Sequence, residues 1–216
     1  MKLFRLRYSP FARKVQMLLE LIPLEHELVE VNYGDRNELA QLTGGYIYVP
    51  VLLTDDGSVI CESRRICEQL LVGEAAPKLV PAPLQGPIWA YADFCDGPLE
   101  DILFRVASPA VREAWSTPWE KALYTLTKER KFGAGCVDAW LREQPALLER
   151  ARHLLAPTLA TLEQQPFVFG ASPTLADAAL YGLLAMLSEA DASLVHSLSP
   201  GLVAYQARLE AARPKR

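Results

Sequence analysis

Three places in the 216-residue chain set residues at spacings that can do chemistry. Ser9-Pro10 joins an N-cap hydroxyl to a proline suited to the first helical position. A hydroxyl there also sits in the positive potential of unpaired amides and the helix dipole, which favours an anion such as a thiolate. Val49-Pro50 opens a strand-like run, where a cis bond would turn the backbone amide and carbonyl of Val49 outward; cis peptides are nearly confined to X-Pro. Glu62-Ser63 places an acid and a hydroxyl at the mouth of a helix, offering acceptors to an ammonium while helix amides meet a carboxylate. Each pair also has a purely structural reading, as a cap or a strand entry.

Other chemistries fall away. Cys61, Cys67, Cys95 and Cys136 form no Cys-x-x-Cys pair, and none lies at metal-ligand spacing from His26, His153 or His196, so no metal is expected. Four scattered thiols suit a reducing compartment. A net charge of −4 with no block of like charge argues against nucleic-acid or membrane-surface partners. The most apolar stretch, Ala178 to Ser188, is too short to span a bilayer. Met1 to Lys14 holds Lys2, Arg5, Arg7, Arg13 and Lys14 without a signal-peptide core, so a cytoplasmic location is expected.

The elements that must position these pairs change character near residue 80. Up to there, short strand and helix patterns alternate, as in an α/β unit. Lys2 to Tyr8 reads as a strand with Phe4, Leu6 and Tyr8 on one face, and a helix runs from Ser9-Pro10 to Pro23. Leu24 to Val31 is a second strand, Asp35 to Leu42 a short helix, and Val49 to Leu53 a third strand. Asp55-Asp56-Gly57-Ser58 turns the chain into Val59-Ile60-Cys61, and Glu62-Ser63 caps a helix carrying Ile66, Leu70 and Leu71. Gly73 to Pro87 has the composition of a linker. Helical patterns follow at about 85–107, 109–131, 135–165, 174–189 and 199–211, with breaks expected at Pro118, Pro145, Pro157 and between Pro166 and Pro173. Thr174 and Asp177 form a capping box before a very apolar helix, a folding role rather than a catalytic one.

In this order the motifs resemble the cytosolic glutathione transferase family, in the bacterial type with a serine at the active-site position. Ser9 to Val15 is similar to its first strand–helix junction, Val49-Pro50 to its cis-proline, and Glu62-Ser63 follows at the family's spacing. Phe167 to Gly170 and Pro173 to Asp177 resemble its late helix entry. The resemblance implies a thioredoxin-like βαβαββα domain over residues 1–76, a linker at 77–83 and an all-helical domain over 84–216. It further implies glutathione as co-substrate, with Val49 and Pro50 at its cysteinyl part and Glu62 and Ser63 at its γ-glutamyl end. Ser9 then donates to the sulfur, and the thiolate attacks a small hydrophobic electrophile in a pocket assigned to Phe11, Phe104 and Trp115. A homodimer is implied as well.

Tyr8 is the rival donor, since some branches use a tyrosine near the end of the first strand; strand alternation sends Tyr8 and Ser9 to opposite faces. Ser9 is preferred because it directly precedes Pro10. Cysteine-using branches carry Cys where this chain has Ser9, and Ala12 also lacks a thiol, so dithiol exchange is not expected. Gly44-Gly45-Tyr46-Ile47-Tyr48 departs from the family pattern and implies a different hold on the glycyl end. Arg5 and Arg7, on a strand expected to be central, call for ion pairs with acids of the helical domain. The alternatives are a dehalogenase, isomerase or peroxidase using the same thiolate, or a non-catalytic member of the fold that binds a ligand or a protein.

Overall fold

In the computed structural model of the chain the described residues are 1–73 and 76–214. Glu74 and Ala75, in the stretch read as a linker, lie outside them. The N-terminal elements are β1 (Lys2–Arg5), α1 (Pro10–Leu21), β2 (Glu27–Glu30), α2 (Asn37–Thr43), β3 (Val51–Leu53), β4 (Val59–Cys61) and α3 (Ser63–Leu70). The sheet order is β2-β1-β3-β4, with β1 parallel to β2 and both other pairs antiparallel. A strand separated from its parallel neighbour by a crossover helix, then closed by a hairpin, is the thioredoxin-like arrangement.

Alternation along β1 and β3 divides the apolar residues between the two faces of the sheet. Leu3 and Leu52 join the main core with Val15, Leu18 and Ile66 of α1 and α3. Phe4 and Val51 face the other way, onto Leu39 of α2. Strand β1 stops at Arg5, three residues short of the expected Tyr8. Ser9 N–H donates to Leu6 C=O at 2.9 Å, closing a turn across Arg7 and Tyr8 where the extended strand was expected.

The helical part consists of α4 (Ala76–Leu79), α5 (Gln85–Phe94), α6 (Glu100–Ala114), α7 (Pro118–Phe132), α8 (Cys136–Gln164), α9 (Leu175–Ala190), α10 (Ser193–Leu198) and α11 (Pro200–Ala211). A π-helical segment, Cys95–Leu99, joins α5 to α6 around Gly97-Pro98. One helix end and two expected breaks differ from expectation. Pro109 lies inside α6, and that helix ends at Ala114 instead of near residue 107. Pro145 and Pro157 lie inside α8, which runs 29 residues without a break. There the buried face of Val137, Trp140, Leu147, Ala151 and Leu155 holds the helix together through two lost backbone hydrogen bonds. Among the described residues no helix is long and apolar enough to cross a membrane.

Helix α9 is buried on nearly every side from Leu175 to Leu187, as a helix at the centre of a core must be. Its expected capping box is formed: Asp177 Oδ2 accepts from Thr174 N–H at 2.8 Å and from Thr174 Oγ1 at 2.9 Å. Asp177 Oδ1 takes two further donors, Val168 N–H at 2.9 Å and the Tyr205 hydroxyl at 2.8 Å. One carboxylate therefore ties the entry of α9 to the preceding loop and to α11.

Candidate active site

Strand register brings the three sequence pairs together. Phe4 is opposite Val51, and Val51 is opposite Cys61. The C-terminal ends of β1 and β4 and the N-terminal end of β3 lie at one end of the sheet, so the chain enters or leaves the sheet there at Ser9-Pro10, Val49-Pro50 and Glu62-Ser63. The N-termini of α1 and α3 open at that same end, so their unpaired amides and dipoles add.

Ser9 is the N-cap of α1, its Oγ accepting from Ala12 N–H at 3.3 Å. A hydroxyl has one proton and two lone pairs, so this cap leaves the Ser9 proton available to donate. Val49-Pro50 is cis. Among the described residues neither the amide nor the carbonyl of Val49 has a hydrogen-bond partner within the chain. Glu62 has φ 73 and ψ 124, a left-handed conformation that favours glycine.

Here the expectation of a cap on α3 is corrected. The Glu62 side chain makes no capping bond and instead accepts from the Tyr46 hydroxyl at 2.7 Å. The positive φ turns its carboxylate away from the helix amides and toward the loop that carries Tyr46. Burial, with the adjoining Glu62 charge, pushes the Tyr46 phenol up, so it stays a donor to that carboxylate. Ser63 is buried at the first helical position, and its hydroxyl has no partner among the described residues. The α3 N-terminus is left with amides free for an acceptor.

Tyr8 is turned elsewhere. Its ring meets Trp115 edge-on at 5.3 Å between centroids, and the Arg7 guanidinium stacks 4.9 Å from its centre. Burial raises the Tyr8 phenol, against an opposing pull from Arg7. Tyr8 and Ser9 lie in the turn after β1, so the strand alternation expected to separate them does not extend to them. Arg7 Nη1 lies 3.8 Å from Glu189 of α9, the cross-domain pairing expected of it. Arg5 instead pairs within its own domain, with Glu30 at 2.6 Å and with Gln16.

The three residues assigned to an electrophile pocket are not gathered into one wall. Trp115 packs on Tyr8 and Tyr33, with ring centres 4.7 Å apart in the second pair. Phe104 belongs to a cluster with Phe132 and Trp140. Phe11 stands apart beside Lys14, whose ammonium is 5.8 Å from its ring centre and is paired with Asp96. Sequence reasoning did not single out Tyr33, Glu100 or Lys128. Single residues of these types carry no motif, and only the folded chain shows Tyr33 against Trp115 and Tyr124, Lys128 against Tyr124 and Phe104, and Glu100 within electrostatic reach of Lys128.

Two family models match the chain. Residues 3–77 match the glutathione S-transferase N-terminal domain and residues 145–214 its C-terminal domain, together well over half the sequence. The chain belongs to the glutathione S-transferase family. A curated relative, glutathione S-transferase omega-1 of Rattus norvegicus, is 30% identical over 80 residues, which is 37% of this chain and 33% of the relative. The match thus spans about a third of that protein's length.

Solved structures share the fold of this glutathione S-transferase family member at low identity. A Ceriporiopsis subvermispora glutathione S-transferase in complex with glutathione superposes with a TM-score of 0.80 at 16% identity, covering 100% of this chain and 98% of that one. Glutaredoxin 2 of Salmonella typhimurium, also in complex with glutathione, gives 0.67 at 20% identity over 95% and 98%. A Pseudomonas fluorescens glutathione S-transferase gives 0.65 at 21% identity over 99% and 97%.

Proposed function

We propose that the chain is a glutathione transferase in which Ser9 stabilises the glutathione thiolate for attack on a small hydrophobic electrophile. One observation supports this reading: an unclaimed Ser9 proton, an unpaired Val49 backbone and the open N-terminus of α3 belong to segments at the same end of the sheet. An extended tripeptide with a carboxylate and an ammonium at one end and a thiol in the middle matches these groups in order. Val49 N–H and C=O pair with the cysteinyl backbone, Ser63 and the α3 amides receive the γ-glutamyl carboxylate, and Glu62 receives its ammonium. The structures of relatives that hold glutathione support this ligand.

The chemistry is thiol ionisation followed by substitution or addition. A Ser9 hydrogen bond and the α1 N-terminus stabilise the anion, lowering the thiol's pKa. The thiolate forms a C–S bond as the leaving group departs with its electron pair, or as a conjugated acceptor takes up a proton. Residues 77–83 join the glutathione-binding and helical domains, and a cytoplasmic homodimer is the setting the family implies. No metal is assigned a role.

A non-catalytic member of the fold, binding a ligand or a protein, is the second reading. It is favoured by the Tyr46 hydroxyl already held by Glu62 and by the neighbouring Tyr48, 67% exposed at the rim. Calorimetric titration with glutathione, followed by turnover assays on halogenated, unsaturated, isomerisable and peroxide substrates, separates the readings. Binding with turnover in at least one class supports the transferase and names its reaction. Absence of glutathione binding contradicts it.

A further inference from the structure

Lys14 lies on α1 one turn beyond Pro10, and its side chain is 3% exposed. Lysine is seldom buried this deeply unless a carboxylate meets it. Here Asp96 does so from the other domain, with Lys14 Nζ donating to Asp96 Oδ2 at 2.5 Å. The backbone of Lys14 is also the surface on which Gly182 of α9 packs. Asp96 comes from the π-helical segment Cys95–Leu99, whose widened turn takes in Gly97 and Pro98. Single π-helical turns recur at functional positions.

Both charges also reach α3. Lys14 acts on the buried thiol of Cys67, and Asp96 acts on the guanidinium of Arg64, the residue after Ser63. The pair is thereby coupled to both helices whose N-termini open at the candidate site. A buried ion pair is a weak source of stability, because drying two charges costs about as much as their attraction returns, and a well-packed apolar pair often does as well. What an apolar pair lacks is direction, since a hydrogen-bonded charge pair fixes both distance and angle. The partners are unequal as well. Asp96 is 26% exposed and keeps water when Lys14 is removed, whereas Lys14 without Asp96 is a stranded cation.

We propose that Lys14 and Asp96 are positioning residues that hold the first turn of α1 in register with that of α3, and so set where the Ser9 hydroxyl lies relative to the γ-glutamyl end of the ligand. Both act through Ser9 rather than on the sulfur. The effect on the thiolate rests on the transferase reading; the register of the two helices does not.

Two variants test this: Lys14→Met/Asp96→Leu replaces the pair without stranding a charge, and Lys14→Met alone leaves a carboxylate that water reaches. Amide exchange is followed at Arg13 and Ile66, whose N–H groups donate to Ser9 C=O at 2.9 Å and to Glu62 C=O at 3.0 Å in the first turns of α1 and α3. Urea unfolding and the ultraviolet absorbance of bound glutathione thiolate against pH are measured on the same samples. The double variant should keep a near-native urea midpoint. In both variants exchange at Arg13 and Ile66 should quicken about tenfold relative to the other helices, and thiolate should form about half a unit higher in pH. Asp96→Glu, which keeps a carboxylate on the buried ammonium, should form thiolate closer to the native pH than either. Unchanged exchange at these two amides overturns the proposal, as does loosening spread evenly over the chain, or an unchanged thiolate pH where the native protein ionises glutathione. Local loosening in a protein whose native form does not ionise glutathione contradicts only the transferase reading.

Discussion

A β-carbon on Gly182 of α9 would sit 2.3 Å from the carbonyl oxygen of Pro10 and 2.9 Å from the backbone nitrogen of Lys14. No real β-carbon tolerates such contacts, so α1 and α9 can pack this closely only because position 182 has no side chain. The first turn of α1, which carries the candidate hydroxyl of Ser9, is thereby clamped against the central helix of the other domain.

Gly182→Ala should therefore force α1 away from α9, at about 2–4 kcal/mol of stability. Since the shift begins at Pro10, turnover should fall further than the folded fraction explains. Urea unfolding alongside a turnover assay checks both parts, and a variant as stable as the native chain would show that the contact relaxes freely.

Asp177 should cost more to remove than an ordinary cap. It accepts from Thr174 twice, from Val168 and from Tyr205. Asp177→Ala leaves several buried donors unpaired, and about 3–5 kcal/mol should be lost, whereas Thr174→Ala should lose about 1–2 kcal/mol. Denaturant midpoints for the two variants give the comparison.

Much of this framework was legible because it rests on local chemistry. Ser9-Pro10 and the Thr174–Asp177 box each satisfy helix amides within one turn, so residue type and spacing suffice to read them. The proline positions were not, because a proline's local cost is outweighed by burial that only the folded chain displays. Pro145 and Pro157 lie in a helix held by Trp140, Leu147 and Leu155, and Pro98 is taken up by a π-helical segment. Strand β1 looked longer because Leu6 and Tyr8 continue its alternation, although the chain turns at Leu6 to reach α1. Of the candidate site, the Ser9 cap and the cis Val49-Pro50 bond were legible. The Tyr46–Glu62 bond was not, since it depends on the positive φ at Glu62.

Tyr46→Phe tests that bond. The hydroxyl restrains the Glu62 carboxylate while leaving lone pairs for an ammonium, so its loss should weaken glutathione binding about threefold to tenfold. Calorimetry decides the matter, and an unchanged affinity would mean that the backbone at Glu62 alone aims the carboxylate.

Glu100 makes stability depend on pH in an unusual direction. Burial raises its carboxyl from 4.5 to about 7, the nearby Asp101 and Asp96 acting the same way and Lys131 and Lys128 opposing. A raised folded-state value means stabilisation that is complete below about pH 4.5 and lost as pH rises through about 7. Relative to the native chain, Glu100→Gln should therefore gain stability between pH 5 and pH 7.5. The carboxyl keeps some solvent contact, so the gain should be on the order of 1 kcal/mol. Melting temperatures of both proteins across this range measure it, and parallel curves would contradict the assignment.

The central claim is that Ser9 and the α1 N-terminus ionise bound glutathione. Its most direct test is to titrate glutathione into the native chain and into Ser9→Ala, following the ultraviolet absorbance of the thiolate against pH. Native protein should bind saturably and form thiolate at least about one unit below the free-thiol value near 8.5. The variant should bind with little loss, give up about 1 kcal/mol of helix-cap stability, and form thiolate only near the free value. Thiolate that forms at the same low pH in Ser9→Ala would contradict the account.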